Sequence, residues 1–160
     1  MKGRIIAASY DPATGISTVT KATKYGEFTA STKVADDDKD VANRWDGPRF
    51  AEFKCDLKAM KRKANILYQR YEGVQNAYNN LYDTMAAAAR GDINVDYIMY
   101  LFSRQADHAY HQYEEAQEAY DRMCDYYDYY CSSTLEARKE VRKHVEFQDY
   151  PGDDGDNSPL

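Results

Sequence analysis

A run of basic residues near the middle of the chain is the feature best suited to chemistry with an anion. Seven cations occur within 22 residues: Arg49, Lys54, Lys58, Lys61, Arg62, Lys63 and Arg70. Lys54, Lys58 and Lys61 follow a 4,3 spacing that places them on one helix face, with Arg62 beside them. Because the whole chain has a net charge of −6, such a face would focus positive potential for a local anionic ligand. The alternative is a solvated helix face without a ligand.

The overall charge argues against bulk nucleic acid as the partner. Affinity for duplex DNA comes largely from phosphate contacts, and the acidic balance of this chain opposes them. The sequence therefore favours a small, phosphate-bearing molecule over a polymer.

A second group of residues surrounds the connection between two predicted helices. Tyr82 precedes this tip and Asn94 follows it, with Arg90 and Arg104 on either side. An aromatic ring can stack on a base, and arginine or asparagine can read phosphates or base edges. The tip is thus a second candidate for ligand contacts, although most such tips bind nothing specific.

Metal binding and catalysis are not expected. His108, His111 and Glu115 have helical spacing, but the Glu-x-x-His pairs of a di-iron bundle are absent, which favours a polar outer face. Cys55, Cys124 and Cys131 are odd in number and lack the Cys-x-x-Cys spacing of disulfide frameworks and zinc sites. We see no nucleophile elbow or phosphate-cradling glycine loop, so we predict a protein that is not an enzyme and has no cofactor.

The elements that must position these residues differ in period along the chain. Three alternating or β-branched runs, at residues 4–10, 16–23 and 27–34, are separated by turn residues. They predict a small antiparallel β-meander. Residues 36–48 form a polar connector, and Pro48 suits the first turn of the helix that follows.

Two long heptad seams follow the connector. The first runs from Phe50 to Met85 with 3,4 spacing, and the second runs from Val95 to His144 with 4,3 spacing. Such spacing is typical of coiled-coil helices, and the short link around Arg90 to Asp92 makes the helices antiparallel neighbours. The small residues Ala106, Ala109 and Ala116 would let a bulky partner side chain approach closely. The predicted fold class is α+β, a β-meander followed by a helical hairpin.

The stretch YDRMCDYYDYYC at residues 120–131 tests this interpretation. Tyr120, Met123, Tyr127 and Tyr130 fall on the second seam, whereas a strand would alternate with a period of two. Tyr126 and Tyr129 widen the apolar face beside the seam. We therefore expect a homodimer or a higher multiple, such as a hexamer.

Three segments follow from these patterns. Residues 1–47 form the meander and connector, residues 48–145 the helical hairpin, and residues 146–160 an acidic tail predicted to be disordered. There is no apolar run near the roughly 18 residues needed to cross a bilayer. We expect a soluble cytoplasmic protein that does not bind membranes.

One region also resembles a known family. The residues concerned are ISTVTKATKYGEFTAS (16–31) and ADDDKDVANRWDGPRFAEFKCDLKAMKRK (35–63). In pattern and layout they are similar to the Thoeris anti-defence sponge proteins of phages, over roughly residues 3–65. Two positions depart from the pattern, since Ala30 replaces a common glycine and Lys54 replaces a common arginine. Lys54 keeps the charge but lacks the bidentate guanidinium.

The resemblance implies a function. Sponge proteins bind cyclic ADP-ribose immune signals, and some hold cyclic oligonucleotides, in pockets shared between protomers and without turnover. It places the protein in the cytoplasm of an infected bacterium. It implies phosphate contacts from Lys54, Lys58 and Arg62, an adenine contact from Tyr82, and a closing tip with Asn94 and Arg104.

Two other functions remain open. A phage structural or assembly protein fits the tyrosine-rich second face, because the chain has 16 tyrosines in 160 residues. An inhibitor that binds a host protein or mimics DNA would use the acidic tail, where four aspartates lie within residues 149–156.

Overall fold

The computed structural model describes residues 2–35, 45–88 and 93–148, with side chains described for residues 2–35, 45–85 and 94–141. The order of elements is three strands followed by two helices. This confirms the predicted α+β fold of a meander and a helical hairpin. Arg90, Asp92 and the acidic tail after Gln148 lie outside the described residues.

The sheet has three antiparallel strands in the order β1-β2-β3. Strand β1 spans Gly3–Asp11, β2 spans Ile16–Thr23 and β3 spans Gly26–Lys33. In the first turn, the Asp11 carboxylate accepts hydrogen bonds from the Ala13 amide and the Thr14 hydroxyl. This turn closes on Gly15, whose φ of 69° is the left-handed conformation that glycine adopts without strain.

Helix α1 spans Asp46–Ala88 and helix α2 spans Ile93–Gln148. At 1.5 Å per residue they are about 65 and 84 Å long. Helix α1 begins two residues before Pro48, and α2 continues three residues past the predicted end at residue 145. The segment 120–131 lies within α2, so its tyrosines belong to a helix, as the spacing predicted.

The two helices form an antiparallel pair in heptad register. The Lys54 ammonium lies 6.0 Å from the ring centre of Tyr127, and the Lys61 ammonium lies 5.8 Å from that of Tyr120. One heptad further, the rings of Tyr68 and Tyr113 are 5.1 Å apart. Seven residues forward on α1 thus match seven residues back on α2, which is the pairing that two heptad seams dictate.

Small side chains hold the hairpin together at its centre. Ala64 on α1 is buried, as are Ala106, Ala109 and Ala116 on α2. Alanine lets two helix backbones approach closely, so these residues leave room for the large tyrosines on either side of the seam. The close approach of a bulky partner side chain to the alanines of α2 stays a prediction.

The sheet packs on the first turns of α1 through β2 and β3. The buried residues there are Val19, Ala30, Ala51 and Cys55, with Phe28 packed against them. The Cys55 thiol lies 3.3 Å from the Val19 carbonyl and 3.2 Å from the Phe28 carbonyl, so it donates within the core. Burial raises the pKa of this thiol, and Cys55 is therefore a packing residue.

A buried ion cluster ties the same surfaces together. Lys21 on β2 is only 4% exposed, and its ammonium donates to Glu52 at 2.7 Å and to Asp56 at 2.9 Å. Glu52 and Asp56 are one turn apart on α1, so a single lysine bridges both carboxylates. The cluster fixes which turn of α1 lies over β2.

Candidate functional site

A groove between the middle of α1 and α2 brings basic side chains from both helices together. Its volume is about 500 Å³, within the usual range for small-molecule sites of roughly 300–1,000 Å³. Arg70 and Val74 line it from α1, one turn apart. The α2 lining follows the 3,1,3,1 spacing of a single helix face and consists of Leu101, Arg104, Gln105, His108 and Ala109.

The groove is electrostatically suited to an anion. Arg70, Arg104 and His108 are three of its seven lining residues, and none of the seven is a carboxylate. The two guanidinium groups can each offer a planar pair of donors to a phosphate. Val74 and Leu101 supply an apolar wall that can receive the body of a ligand. His108 lies 3.0 Å from the Gln112 side chain, which fixes its ring beside the groove.

Lys54 and Lys58, two of the phosphate-binding residues predicted on α1, have other partners in the structure. The Lys58 ammonium donates to the backbone carbonyl of Thr29 on β3 at 2.5 Å, so it helps to dock the sheet. Lys54 lies over the Tyr127 ring on the opposite flank of the hairpin, while Arg62 is exposed. These three residues do not converge on one pocket within a single chain.

The residues predicted at the tip are also separated from that basic face. Tyr82 is exposed and stacks on Tyr78, with ring centres 6.4 Å apart. At 1.5 Å per residue, Tyr82 lies about 40 Å along α1 from Lys54. Asn94 is exposed near the start of α2, and Arg104 lies about 15 Å further along α2. The structure therefore brings Arg104 alone of the six predicted residues into the groove.

Arg70, His108 and Leu101 were missed as members of one site. Arg70 was recognised only as the end of the basic run, and His108 only as a candidate metal ligand. The heptad seams and the tip around residue 91 contain part of the signal, because the register they imply offsets Arg70 and Arg104 by one heptad, about 10 Å along the hairpin. The seam defines which face of each helix is buried, but not which of the exposed residues beside it line a common recess.

Four tyrosines form a self-packed cluster on the other flank of the hairpin. The sequences YQRYE (68–72) on α1 and YHQYE (110–114) on α2 meet with local two-fold geometry. Tyr68 contacts Tyr113 at 5.1 Å, and Tyr71 contacts Tyr110 at 5.2 Å between ring centres. Since the rings contact one another, this cluster stabilises the hairpin and offers no open slot for a base.

Tyr68 and Tyr110 each interact with a carboxylate one turn further along the same helix. A hydrogen bond to Glu72 raises the pKa of the Tyr68 phenol, and one to Glu114 raises that of Tyr110. The negative charge of each carboxylate acts in the same direction. Both phenols consequently remain protonated donors at neutral pH.

A smaller recess of about 310 Å³ lies beside the sheet. Its lining combines one cation with two carboxylates and three aromatic rings: Arg49, Glu52, Asp56, Phe53, Tyr126 and Tyr130. The recess is lined by residues of α1 and α2, and two of them, Glu52 and Asp56, already bind Lys21 of β2. Its carboxylates make it a poorer anion site than the groove.

The described part of the chain contains no cluster of three or more histidine, cysteine, aspartate or glutamate side chains that could hold a metal. His111 lies 3.3 Å from Glu114, while His108 contacts Gln112. The two histidines thus have different helical neighbours. Among the same residues, neither helix has an apolar stretch capable of spanning a membrane.

The fold and the groove define an α+β class of protein, a three-stranded sheet docked on a long helical hairpin that carries a basic groove. Scans of protein families, curated proteins and solved structures found no match to this chain.

Proposed function

We propose that the protein binds a phosphate-bearing nucleotide and withholds it from its receptor without turning it over. This is the activity that the resemblance to phage anti-defence sponges implies, and the ligand would be a cyclic ADP-ribose isomer or a cyclic oligonucleotide in the cytoplasm of an infected bacterium. The observation that carries the proposal is the groove in which Arg70 and Arg104 approach from opposite helices.

The groove supports this proposal by its chemistry and its size. Two guanidinium groups can each bind a phosphate oxygen pair, while Val74 and Leu101 can contact a ribose or base. A volume near 500 Å³ accommodates a ligand of nucleotide size. Lys54, Lys58 and Arg62 do not line the groove, and on this proposal their phosphate contacts are made in a pocket shared with a second copy.

Calorimetric titration with a panel of cyclic ADP-ribose isomers and cyclic oligonucleotides tests the proposal. We expect saturable heat from one member of the panel, weakened at least tenfold by Arg104→Gln, since a charge-assisted hydrogen bond is worth roughly 1.5–3 kcal/mol. Arg122→Gln is the matched control, because Arg122 is on the same helix but pairs with Glu118 at 3.2 Å. No heat across the panel, or equal effects of both variants, would contradict the proposal.

A second function, a phage structural or assembly protein, is favoured by a different observation. Tyr126 and Tyr129 project from α2 and are 52% and 69% exposed. Large aromatic side chains in this position are typical of protein interfaces. Under this function, Tyr129→Ser would reduce self-association or partner binding, and nucleotides would leave the melting temperature unchanged.

A further inference from the structure

Strand β1 has the side-chain pattern of a strand inside a larger sheet, yet no described part of the chain covers it. Residues that pair directly across a sheet share a face. Tyr10, Ala8 and Ile5 pair with Ser17, Val19 and Lys21 of β2, whose side chains are buried under α1. The apolar residues of β1 therefore continue the core-facing surface of the sheet.

The helix only borders this continuation and leaves it uncovered. All nine residues of β1 are exposed, including Ile5 at 45%, Ile6 at 46% and Tyr10 at 52%. The opposite face of β1 carries Arg4, Ser9 and Asp11, which pair with exposed or half-exposed positions of β2. An apolar core-facing side and a polar outer side are thus combined in a strand whose outer edge is open.

The two edges of the sheet differ in their protection. On β3, the Thr29 carbonyl accepts a hydrogen bond from Lys58 of α1, which places a lysine at that edge. Charged residues lie near the ends of both strands, Glu27 and Lys33 on β3 and Arg4 and Asp11 on β1. Lysines and charges are common devices that prevent edge-to-edge pairing. From Ile5 to Tyr10, strand β1 has no charge and no proline, so it is the edge open to another strand.

An irregularity in β1 makes the strand complementary to itself. Ile5 pairs with Lys21 and Ala7 pairs with Thr20, so Ile6 is an extra residue without a partner of its own. Two copies of β1 placed antiparallel about Ala8 would pair Ser9 with Ala7. With the extra residue skipped, they would then pair Tyr10 with Ile5 and Asp11 with Arg4.

Every one of these pairs joins residues from the same face of the sheet. The Ile5–Tyr10 pairs lie on the core-facing side, and the Arg4–Asp11 pairs lie on the outer side with opposite charges. If Ile6 were paired instead of skipped, the same arrangement would place Arg4 opposite Pro12 and lose both ion pairs. Asp11 keeps acceptor capacity for Arg4, since a carboxylate has about four lone-pair sites and its own turn occupies two.

We infer that β1 is a homodimer interface, in which two copies of this chain pair their first strands antiparallel about Ala8 and form a continuous six-stranded sheet. The interface follows from the strand alone and stands whether or not the groove binds a nucleotide. Two Arg4–Asp11 pairs related by the two-fold axis set the register.

Charge reversal at these exposed positions tests the interface by sedimentation equilibrium. The unmodified chain should show a dimer that dissociates on dilution. Arg4→Asp and Asp11→Arg should each weaken it about tenfold or more, because each variant replaces two attractive cross-strand pairs with two repulsive ones. An equimolar mixture of the two variants should form a heterodimer of higher affinity than the homodimer of either variant. One of its two pairs joins the two substituted side chains, which have opposite charges, and the other joins the native Arg4 of one chain and the native Asp11 of the other.

Lys24→Asp is the control, because Lys24 is exposed in the turn between β2 and β3 and has no part in the pairing. Circular dichroism and thermal melts show whether each variant remains folded. A chain that is monomeric at all concentrations overturns the inference. So does a dimer that the reversals leave unchanged, or one that the mixture fails to restore.

Discussion

Arg138 near the end of α2 donates two hydrogen bonds to the carboxylate of Asp46, the first residue of α1. The two residues are 92 positions apart in sequence, and Asp46 is buried. This bidentate pair fastens the base of the hairpin, while the tip is held by chain connection. Beyond it, α2 continues past the start of α1, and Val141 in this extension is exposed.

Removal of Arg138 should destabilise the protein more than removal of a surface arginine. Arg138→Ala leaves the buried Asp46 carboxylate without this bidentate partner, and we expect a loss of about 3 kcal/mol in the free energy of unfolding, the scale for breaking a buried ion pair. Arg122→Ala, which breaks an exposed pair with Glu118, should cost less than about 1 kcal/mol. Urea unfolding measures the free energy of unfolding of both variants. Equal losses would contradict a stabilising role of the Arg138–Asp46 pair.

The Lys21 cluster should respond differently to partial and complete replacement. Lys21→Met removes the cation that joins Glu52 and Asp56, and we expect a loss of about 3 kcal/mol. When Glu52→Gln and Asp56→Leu are added, most of the loss should be recovered, because the remaining side chains need no buried counter-charge. Urea midpoints of the two variants make the comparison, and a triple variant less stable than the single one would contradict it.

Stability should fall in alkaline solution for two named reasons. Burial lowers the pKa of Lys21, but hydrogen bonds to Glu52 and Asp56 and their charges outweigh it, so the pKa is raised. Burial and a hydrogen bond with Cys131 raise the pKa of Tyr127. Both groups hold their protons more tightly when folded, so their contribution is complete below the unfolded values of about 10 to 10.4 and is lost as pH rises through the folded values.

Tyr127→Phe isolates one of these contributions. Above about pH 10, the slope of unfolding free energy against pH should become shallower by up to about 1.4 kcal/mol per unit, which corresponds to one proton. Urea unfolding at a series of pH values provides the slope. An unchanged slope in the variant would show that the Tyr127 phenol does not titrate differently in the two states.

Two glycines in α1 should respond in opposite directions to alanine. A Cβ atom on Gly47 would lie 2.2 Å from the Ser17 hydroxyl oxygen and 2.9 Å from the Ser17 Cβ, so Gly47→Ala forces the sheet away from the helix and should cost about 1–3 kcal/mol. Ser17→Gly in the same chain should remove most of that penalty. Gly73 has no atom within 4 Å of the same position, and Gly73→Ala should stabilise α1 by roughly 0.5–1 kcal/mol.

Thermal unfolding monitored by circular dichroism ranks these variants. If Gly47→Ala melted at the temperature of the unmodified chain, the close approach of α1 to β2 would be wrong. A loss of stability in Gly73→Ala would equally contradict the open environment of that residue.

The fold could be predicted because side chains alternate with a period of two in the N-terminal part of the sequence, whereas apolar residues follow heptad spacing in the rest. Alternation identified the three strands, and unbroken heptads identified two helices whose short link makes them antiparallel. The role of Lys21 was not visible, since Glu52 and Asp56 are 31 and 35 residues away and the pairing depends on which turn of α1 meets β2.

The candidate site was only partly predictable for a similar reason. Lys54, Lys58 and Arg62 share a run in the sequence, but they lie off the seam and meet different neighbours around α1. Lys58 donates a hydrogen bond to the Thr29 carbonyl on β3, and Lys54 lies over the Tyr127 ring on α2. Arg104 was predicted as a ligand-binding residue. Arg70, which lines the same groove, is recognised only when the antiparallel register is known.

The central claim, that Arg70 and Arg104 bind one nucleotide ligand, is tested most directly by nuclear magnetic resonance of the arginine side chains. The Nε–Hε signals are assigned by single arginine-to-lysine variants, and the ligand is the nucleotide that gives heat in calorimetry. We expect the signals of Arg70 and Arg104 to shift together and to saturate together as this nucleotide is added, while the signal of Arg122 does not move. Saturable binding with Arg70 and Arg104 unmoved, or no member of the nucleotide panel binding at all, would contradict it.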